Sequence, residues 1–104
     1  MLGIDPGVSR CGYGAVRSGR ARPEAVAAGV ITTDRLDPLP QRLALLDAEL
    51  RRLLIELQPD AVVVERVFFQ TNVRTAMSVG QASGLALAAA AGAGVDVAQY
   101  TANE

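Results

Sequence analysis

The spacing of apolar residues changes several times along the chain, and each change marks a structural element. Residues 1–4 are a short apolar run that stops at Asp5-Pro6-Gly7, where proline and glycine impose a turn, so a first strand is expected to end at Asp5. Residues 12–17 and 25–32 read as two further strands joined through Ser18-Gly19, a hairpin connection whose glycine is free to take positive φ. Three strands in succession predict an antiparallel meander. Leu43, Leu46, Leu50, Leu53, Leu54 and Leu57 then recur at helical spacing, with Arg42, Asp47, Glu49, Arg52 and Glu56 on other faces, until Pro59 closes the segment. The β-branched run Ala61-Val62-Val63-Val64-Glu65 resembles a buried central strand that ends in a charge. A second helix, rich in alanine and carrying Gly80 and Gly84, is expected to open at Asn72 or a neighbour and to run to about Gly92, and residues 95–100 form a fifth short strand. Thr101-Ala102-Asn103-Glu104 has the spacing of a capping box, the start of a third helix at the point where the sequence stops.

This order of elements has a consequence for two acids. A strand, helix, strand path between parallel neighbours is almost always right-handed, and adjacent strands lie about 4.8 Å apart. If residues 61–65 pair parallel to the first strand, Asp5 and Glu65 meet at the carboxyl ends of neighbouring strands, where open α/β sheets bind ligands. Two carboxylates that close repel unless a cation lies between them, and an all-oxygen donor set favours Mg²⁺ or Mn²⁺. Each acid also has a plainer reading, since Asp-Pro-Gly is an ordinary turn and a glutamate at a strand end is often only solvated.

Composition narrows the chemistry further. The 104 residues, half of them hydrophobic, suffice for a single small domain over 1–104 with one core. The absence of histidine removes imidazole bases, Ser/His/Asp triads and the commonest zinc ligand, which leaves carboxylates to carry any acid, base or metal chemistry. Cys11 is the only cysteine, so no disulfide forms within the chain; its plainest role is a small buried apolar side chain. No charged segment followed by an apolar run opens the sequence, and the apolar stretch at 85–91 is too short to span a bilayer, so a soluble cytoplasmic protein with no membrane partner is expected. The net charge of -1 gives no sign of a nucleic-acid binder, but its distribution does. Arg10, Arg17, Arg20 and Arg22 face only Asp5 among the first 22 residues, and residues 66–95 hold Arg66 and Arg74 with no acid. Arg10 and Arg74 are therefore candidates to hold phosphates, against the alternative of solvated surface arginine. Phe68 and Phe69 follow directly after the acid-bearing fourth strand.

Four blocks, in order, carry a resemblance: Gly3-Ile4-Asp5-Pro6-Gly7, Gly12-Tyr13-Gly14, Val64-Glu65-Arg66-Val67-Phe68 and Gly80-Gln81-Ala82-Ser83-Gly84. Over essentially the whole chain they are similar to the RuvC family of Holliday-junction resolvases. The resemblance implies an α/β, ribonuclease H-like fold, with a five-stranded mixed sheet flanked by helices, the first three strands antiparallel and the fourth and fifth parallel. It implies a structure-selective endonuclease that resolves four-way DNA junctions during recombination and repair by magnesium-dependent phosphodiester hydrolysis, with water as the nucleophile and a 5′-phosphate on the product. Of the four acids that bind two magnesium ions in the family, Asp5 matches the one on the first strand and Glu65 the one closing the fourth. The other two belong to a later helix with no counterpart here, so the chain is expected to be truncated at its C-terminus and to lack the C-terminal helices. Phe68 matches an aromatic that stacks on bases near the crossover, with Phe69 beside it; the plainer reading is that both rings pack under the loop into the core. Gly80 and Gly84 either let the second helix approach the sheet or share, with Gln81 and Ser83, in the homodimer interface that the family forms there. The implied partners are four-way junction DNA, a second copy of the chain and a branch-migration helicase complex.

Three other classes compete. Asp5-Pro6-Gly7 with Gly12 and Gly14 also resembles the first phosphate loop of actin-like and sugar-kinase ATPases, but the second Asp-x-Gly loop those enzymes need is missing from the sequence. Small ribonuclease H-like proteins of ribosomal RNA processing begin with a similar strand, and the blocks from Val64 to Gly84 argue against them. A junction-binding fragment without activity would bind junctions equally with and without magnesium.

Overall fold

Alternation within the strands decides which face of the sheet is buried. The computed structural model describes residues 1–65 and 72–100. Along them lie β1 (Leu2–Asp5), β2 (Arg10–Arg17), β3 (Glu24–Thr32), α1 (Leu39–Leu57), β4 (Ala61–Glu65), α2 (Val73–Gly92) and β5 (Asp96–Tyr100). The strands form one sheet in the order β3-β2-β1-β4-β5. The pairs β1/β2 and β2/β3 are antiparallel, and β1/β4 and β4/β5 are parallel, as the sequence predicts. Leu2 and Ile4 on β1, Cys11 and Ala15 on β2, and Val62 and Val64 on β4 point to one face and are buried there. Leu46, Leu50, Leu53 and Leu54 of α1 and Ala82, Ala86, Ala89 and Ala90 of α2 complete that core, so both helices cover the same side of the sheet. Small side chains on α2 let its backbone come close to both the sheet and α1, beside which it packs.

The second face is smooth. Ala28, Gly14, Gly3, Val63 and Ala98 are paired across the five strands in one row of small or short side chains. Cys11 lies fully inside the helix-covered core, as expected, and burial pushes its thiol pKa up, the opposite of a reactive cysteine. Among the described residues no helix is long and apolar enough to cross a membrane.

Three local expectations are corrected. The link between β2 and β3 is not a two-residue hairpin but residues 18–23, and Gly19 does not take positive φ. Its missing side chain serves space instead, because a Cβ there would collide with the carbonyl oxygen of Arg22. Helix α1 begins at Leu39, four residues before the leucine periodicity does. Pro38 is the extended N-cap and Pro40 stands in the first turn, where a missing N–H costs nothing. At its other end Gln58 adopts a left-handed conformation (φ 44°), donates its N–H to the Leu54 carbonyl and hands over to Pro59. The third correction concerns Gly80 and Gly84. A Cβ on either would meet nothing within 4 Å, so helix-to-sheet packing does not require glycine at these positions. They lie on an exposed stripe of α2 with Val73, Met77, Ala88 and Ala91. Helix α2 itself starts as predicted, with the Asn72 side chain accepting the Arg74 N–H at 2.8 Å. The capping box proposed at 101–104 lies outside the described residues.

Candidate functional site

Pairing and alternation together fix where the two acids stand. Gly3 pairs with Val63 and Ile4 with Val64, so Asp5 and Glu65 come next in line at the carboxyl ends of β1 and β4. Because Ile4 and Val64 point into the core, both carboxylates point to the opposite, helix-free face. The row through them is Val30, Gly12, Asp5, Glu65 and Tyr100. Gly12 matters to this row: a Cβ on it would lie 3.6 Å from the Asp5 Cβ and 4.0 Å from Asp5 Oδ2. Any longer side chain would enter the space beside the carboxylate, so glycine keeps one flank of Asp5 open. Asp5 is exposed and Glu65 half-buried. Among the described residues neither forms an ion pair or a side-chain hydrogen bond, whereas Asp47, Glu49, Glu56, Asp60 and Glu24 all have cationic partners.

The donor set fits a hard divalent cation. Two carboxylates side by side offer oxygen only, their charges are not offset by a neighbouring arginine among the described residues, and the open flank leaves room for water. No group of three or more His, Cys, Asp or Glu side chains gathers among the described residues.

The turn after Asp5 is held from three sides, which sets the end of β1. The Val8 N–H donates to Ser78 Oγ of α2 at 2.9 Å, and Thr33 Oγ1 donates to the Val8 carbonyl at 2.8 Å. Arg42 of α1 donates from Nε to Thr33 Oγ1 and from Nη2 to Ser9 Oγ, both at 2.9 Å. A Cβ on Gly7 would come within 2.5 Å of the Arg10 carbonyl, so this turn also needs its glycine. Ser78, Thr33 and Arg42 were not singled out by sequence reasoning, and no local pattern announces them, since Arg42 and Ser9 are 33 residues apart.

Of the other predicted site residues, Arg10 and Arg74 line one open cleft, beside the turn rather than at the carboxylate pair, together with Arg35 and Arg42. Phe68 and Phe69 lie outside the described residues.

The family model for crossover junction endodeoxyribonuclease RuvC matches residues 1–104. The chain belongs to the RuvC family. It is similar to the crossover junction endodeoxyribonuclease RuvC of Salinispora arenicola, 51% identical over 105 residues, covering 100% of this chain and 60% of that protein. It is likewise similar to that of Syntrophomonas wolfei, 45% identical over 101 residues, covering 97% of this chain and 59% of the relative. The chain thus spans about three-fifths of the length of these curated relatives. Among solved structures, that of T. thermophilus RuvC in complex with Holliday junction substrate superposes with a TM-score of 0.89 at 33% identity, over 98% of this chain and 64% of that one. The yeast mitochondrial Holliday junction resolvase shares the fold at 16% identity and a TM-score of 0.73, over 96% of this chain and 49% of that one. RuvC membership sets aside the ATPase and ribosomal RNA-processing alternatives.

Proposed function

We propose that this chain carries part of the active site of a structure-selective endonuclease that cuts four-way DNA junctions in recombination and repair, with Asp5 and Glu65 as ligands to Mg²⁺ or Mn²⁺. The observation that carries the proposal is the pair of adjacent carboxylates at the carboxyl ends of the two central parallel strands, without a cationic partner among the described residues. The family resemblance adds two further acids and a second ion to that shell. Asp5 and Glu65 would hold such a cation, which when bound would supply an activated water for the hydrolysis and offset charge on the leaving oxygen. Asp5, at the end of the most central strand and beside the open flank at Gly12, anchors that site. Glu65, half-buried one strand away, adds a ligand from the β4 side. Neither acid needs to attack phosphorus itself.

Two nicks placed symmetrically in a four-way junction call for two equivalent sites, hence a homodimer. The exposed stripe of Val73, Met77, Gly80, Gly84, Ala88 and Ala91 on α2 supports that assembly, because its glycines and alanines let a second backbone approach closely while Val73 and Met77 offer apolar surface to cover. Gln81 and Ser83, half-buried on either side of the stripe, are placed to share in it. A branch-migration helicase complex as a partner and a cytoplasmic setting follow from the same family reading. Arg10 and Arg74 are assigned to phosphate contacts, and Phe68, with Phe69 beside it, to base stacking at the crossover.

The test is cutting of labelled four-way junctions, against plain duplex of the same arm sequence, with magnesium and with EDTA. Metal-dependent cutting confined to the junction is expected; equal cutting of both DNAs would contradict the reading. In the same assay Phe68→Ala is expected to reduce junction processing by an amount corresponding to about 1–3 kcal/mol, one lost stacking contact, with little change in duplex binding. Equal losses on junction and duplex would mean that the ring only packs into the protein.

A further inference from the structure

A second feature lies on the other side of the turn from the carboxylates. The cleft between residues 6–10, the approach to α1 and the first turns of α2 has a volume of about 760 Å³ and takes Arg10, Arg35, Arg42 and Arg74 from four separate segments. The described residues that line it include no carboxylate and no aromatic ring. Elsewhere the arginines of α1 and β2 are consumed by acids: Arg17 by Glu24, Arg51 by Asp47, and Arg52 by Glu49 and Glu56. None of the four cleft arginines has such a partner among the described residues. Asp34, one residue from Arg35, is turned to its own loop, where Oδ1 accepts the Leu36 N–H at 2.9 Å. Arg42 is held in place by Thr33 and Ser9, so one guanidinium is fixed while Arg10, Arg35 and Arg74 stay exposed.

Like charges gathered without counter-charge repel one another, so such a cluster is stabilised by an anion. The cleft is of a size with sites for ligands of many atoms, about 300–1,000 Å³. Among the described residues its lining brings four guanidinium groups and no carboxylate, a chemistry that suits phosphate oxygens. We propose that this cleft binds the sugar-phosphate backbone of a DNA arm, with Arg35 and Arg42 added to Arg10 and Arg74 as one continuous phosphate track. The identity of the polyanion as DNA rests on the junction-nuclease reading above. The track reads charge and not sequence, so it serves a junction arm and plain duplex alike.

The experiment measures binding by fluorescence anisotropy in EDTA over a range of KCl concentrations. The probes are a labelled four-way junction and a labelled duplex of one arm's sequence, with the full-length protein. Each neutralised phosphate contributes about 0.9 to the slope of log K against log salt on duplex DNA, so Arg35→Ala with Arg74→Ala is expected to lower that slope by about 1.8 on both probes. The pair Arg35→Lys with Arg74→Lys restores the slope, and Arg51→Ala, on the outer face of α1 against Asp47, leaves it unchanged. A slope unaffected by the double alanine substitution overturns the proposal, and so does a loss seen on the junction alone. The measurement contains no metal and alters neither carboxylate. Cutting that survived Asp5→Asn would therefore defeat the nuclease reading and leave the slope result standing, while an unchanged slope would defeat the track and leave the carboxylate pair untouched.

Discussion

Replacing Asp5 with asparagine in the full-length protein is expected to abolish cutting of four-way junctions while junction binding in EDTA persists. Asparagine keeps the shape of the side chain and one oxygen, but it removes the negative charge that holds a hard cation. Loss of a group that merely orients a metal ligand costs about 10–100-fold in affinity or activity, so loss of a ligand itself is expected to cost at least about a hundredfold. Binding should hold or tighten slightly, because a carboxylate facing the DNA repels phosphate until a cation offsets it. Glu65→Gln is expected to act in the same direction, since Glu65 follows Val64 as Asp5 follows its pairing partner Ile4 on the neighbouring strand. Cutting by either variant at the unaltered rate would remove these acids from the metal site. Loss of binding in parallel with cutting would instead point to a damaged fold.

Leu46→Ala is expected to cost about 2–5 kcal/mol of stability, the usual range for a buried leucine truncated inside a packed core. Leu46 is fully buried in the cluster where α1 meets the sheet. A domain of this size is stable by about 5–15 kcal/mol in total, so the change removes a large share of it. Ile55 is the control: on the same helix, 76% exposed, its replacement by alanine should shift stability by no more than about 0.5 kcal/mol. Urea unfolding followed by far-ultraviolet circular dichroism distinguishes the two through their midpoints at unchanged slope. Equal midpoints for the two variants would mean that α1 does not bury the face assigned to it.

Most of the architecture was legible in the sequence because it rests on periodicity. The leucines of α1 and the valines of β4 announce both their element and their buried face, whereas the meeting of Asp5 and Glu65 was legible only on the condition that β4 pairs parallel to β1, which the fold meets. Legibility failed where local chemistry has more than one solution. Ser18-Gly19 fits a tight hairpin, yet the strands are joined by a longer link in which glycine is needed for clearance from Arg22 and not for its φ. The first turn of α1 is exposed and has no apolar rhythm, so only Pro38 and Pro40 mark it. Gly80 and Gly84 look alike in sequence whether they face a sheet or open space, and only the packing of α2 separates the two cases. The role of Gly12 beside Asp5 depends on the register of β2 against β1, and the clamp of Ser78, Thr33 and Arg42 on the turn depends on contacts between segments far apart in the chain. The arginine cleft is hidden for the same reason. Arg35 and Arg42 stand in a stretch of mixed charge, and their convergence with Arg10 and Arg74 is a product of folding.

A divalent cation shared by Asp5 and Glu65 is expected to be detectable directly. Mn²⁺ titration of the full-length protein, followed by the electron paramagnetic resonance signal of the free aqueous ion, tests it without reference to DNA or to cutting. The account predicts loss of free Mn²⁺ signal on addition of the protein, its return when Mg²⁺ competes, and no such loss for the Asp5→Asn, Glu65→Gln double variant. Equal uptake of Mn²⁺ by the double variant and the unaltered protein would contradict it.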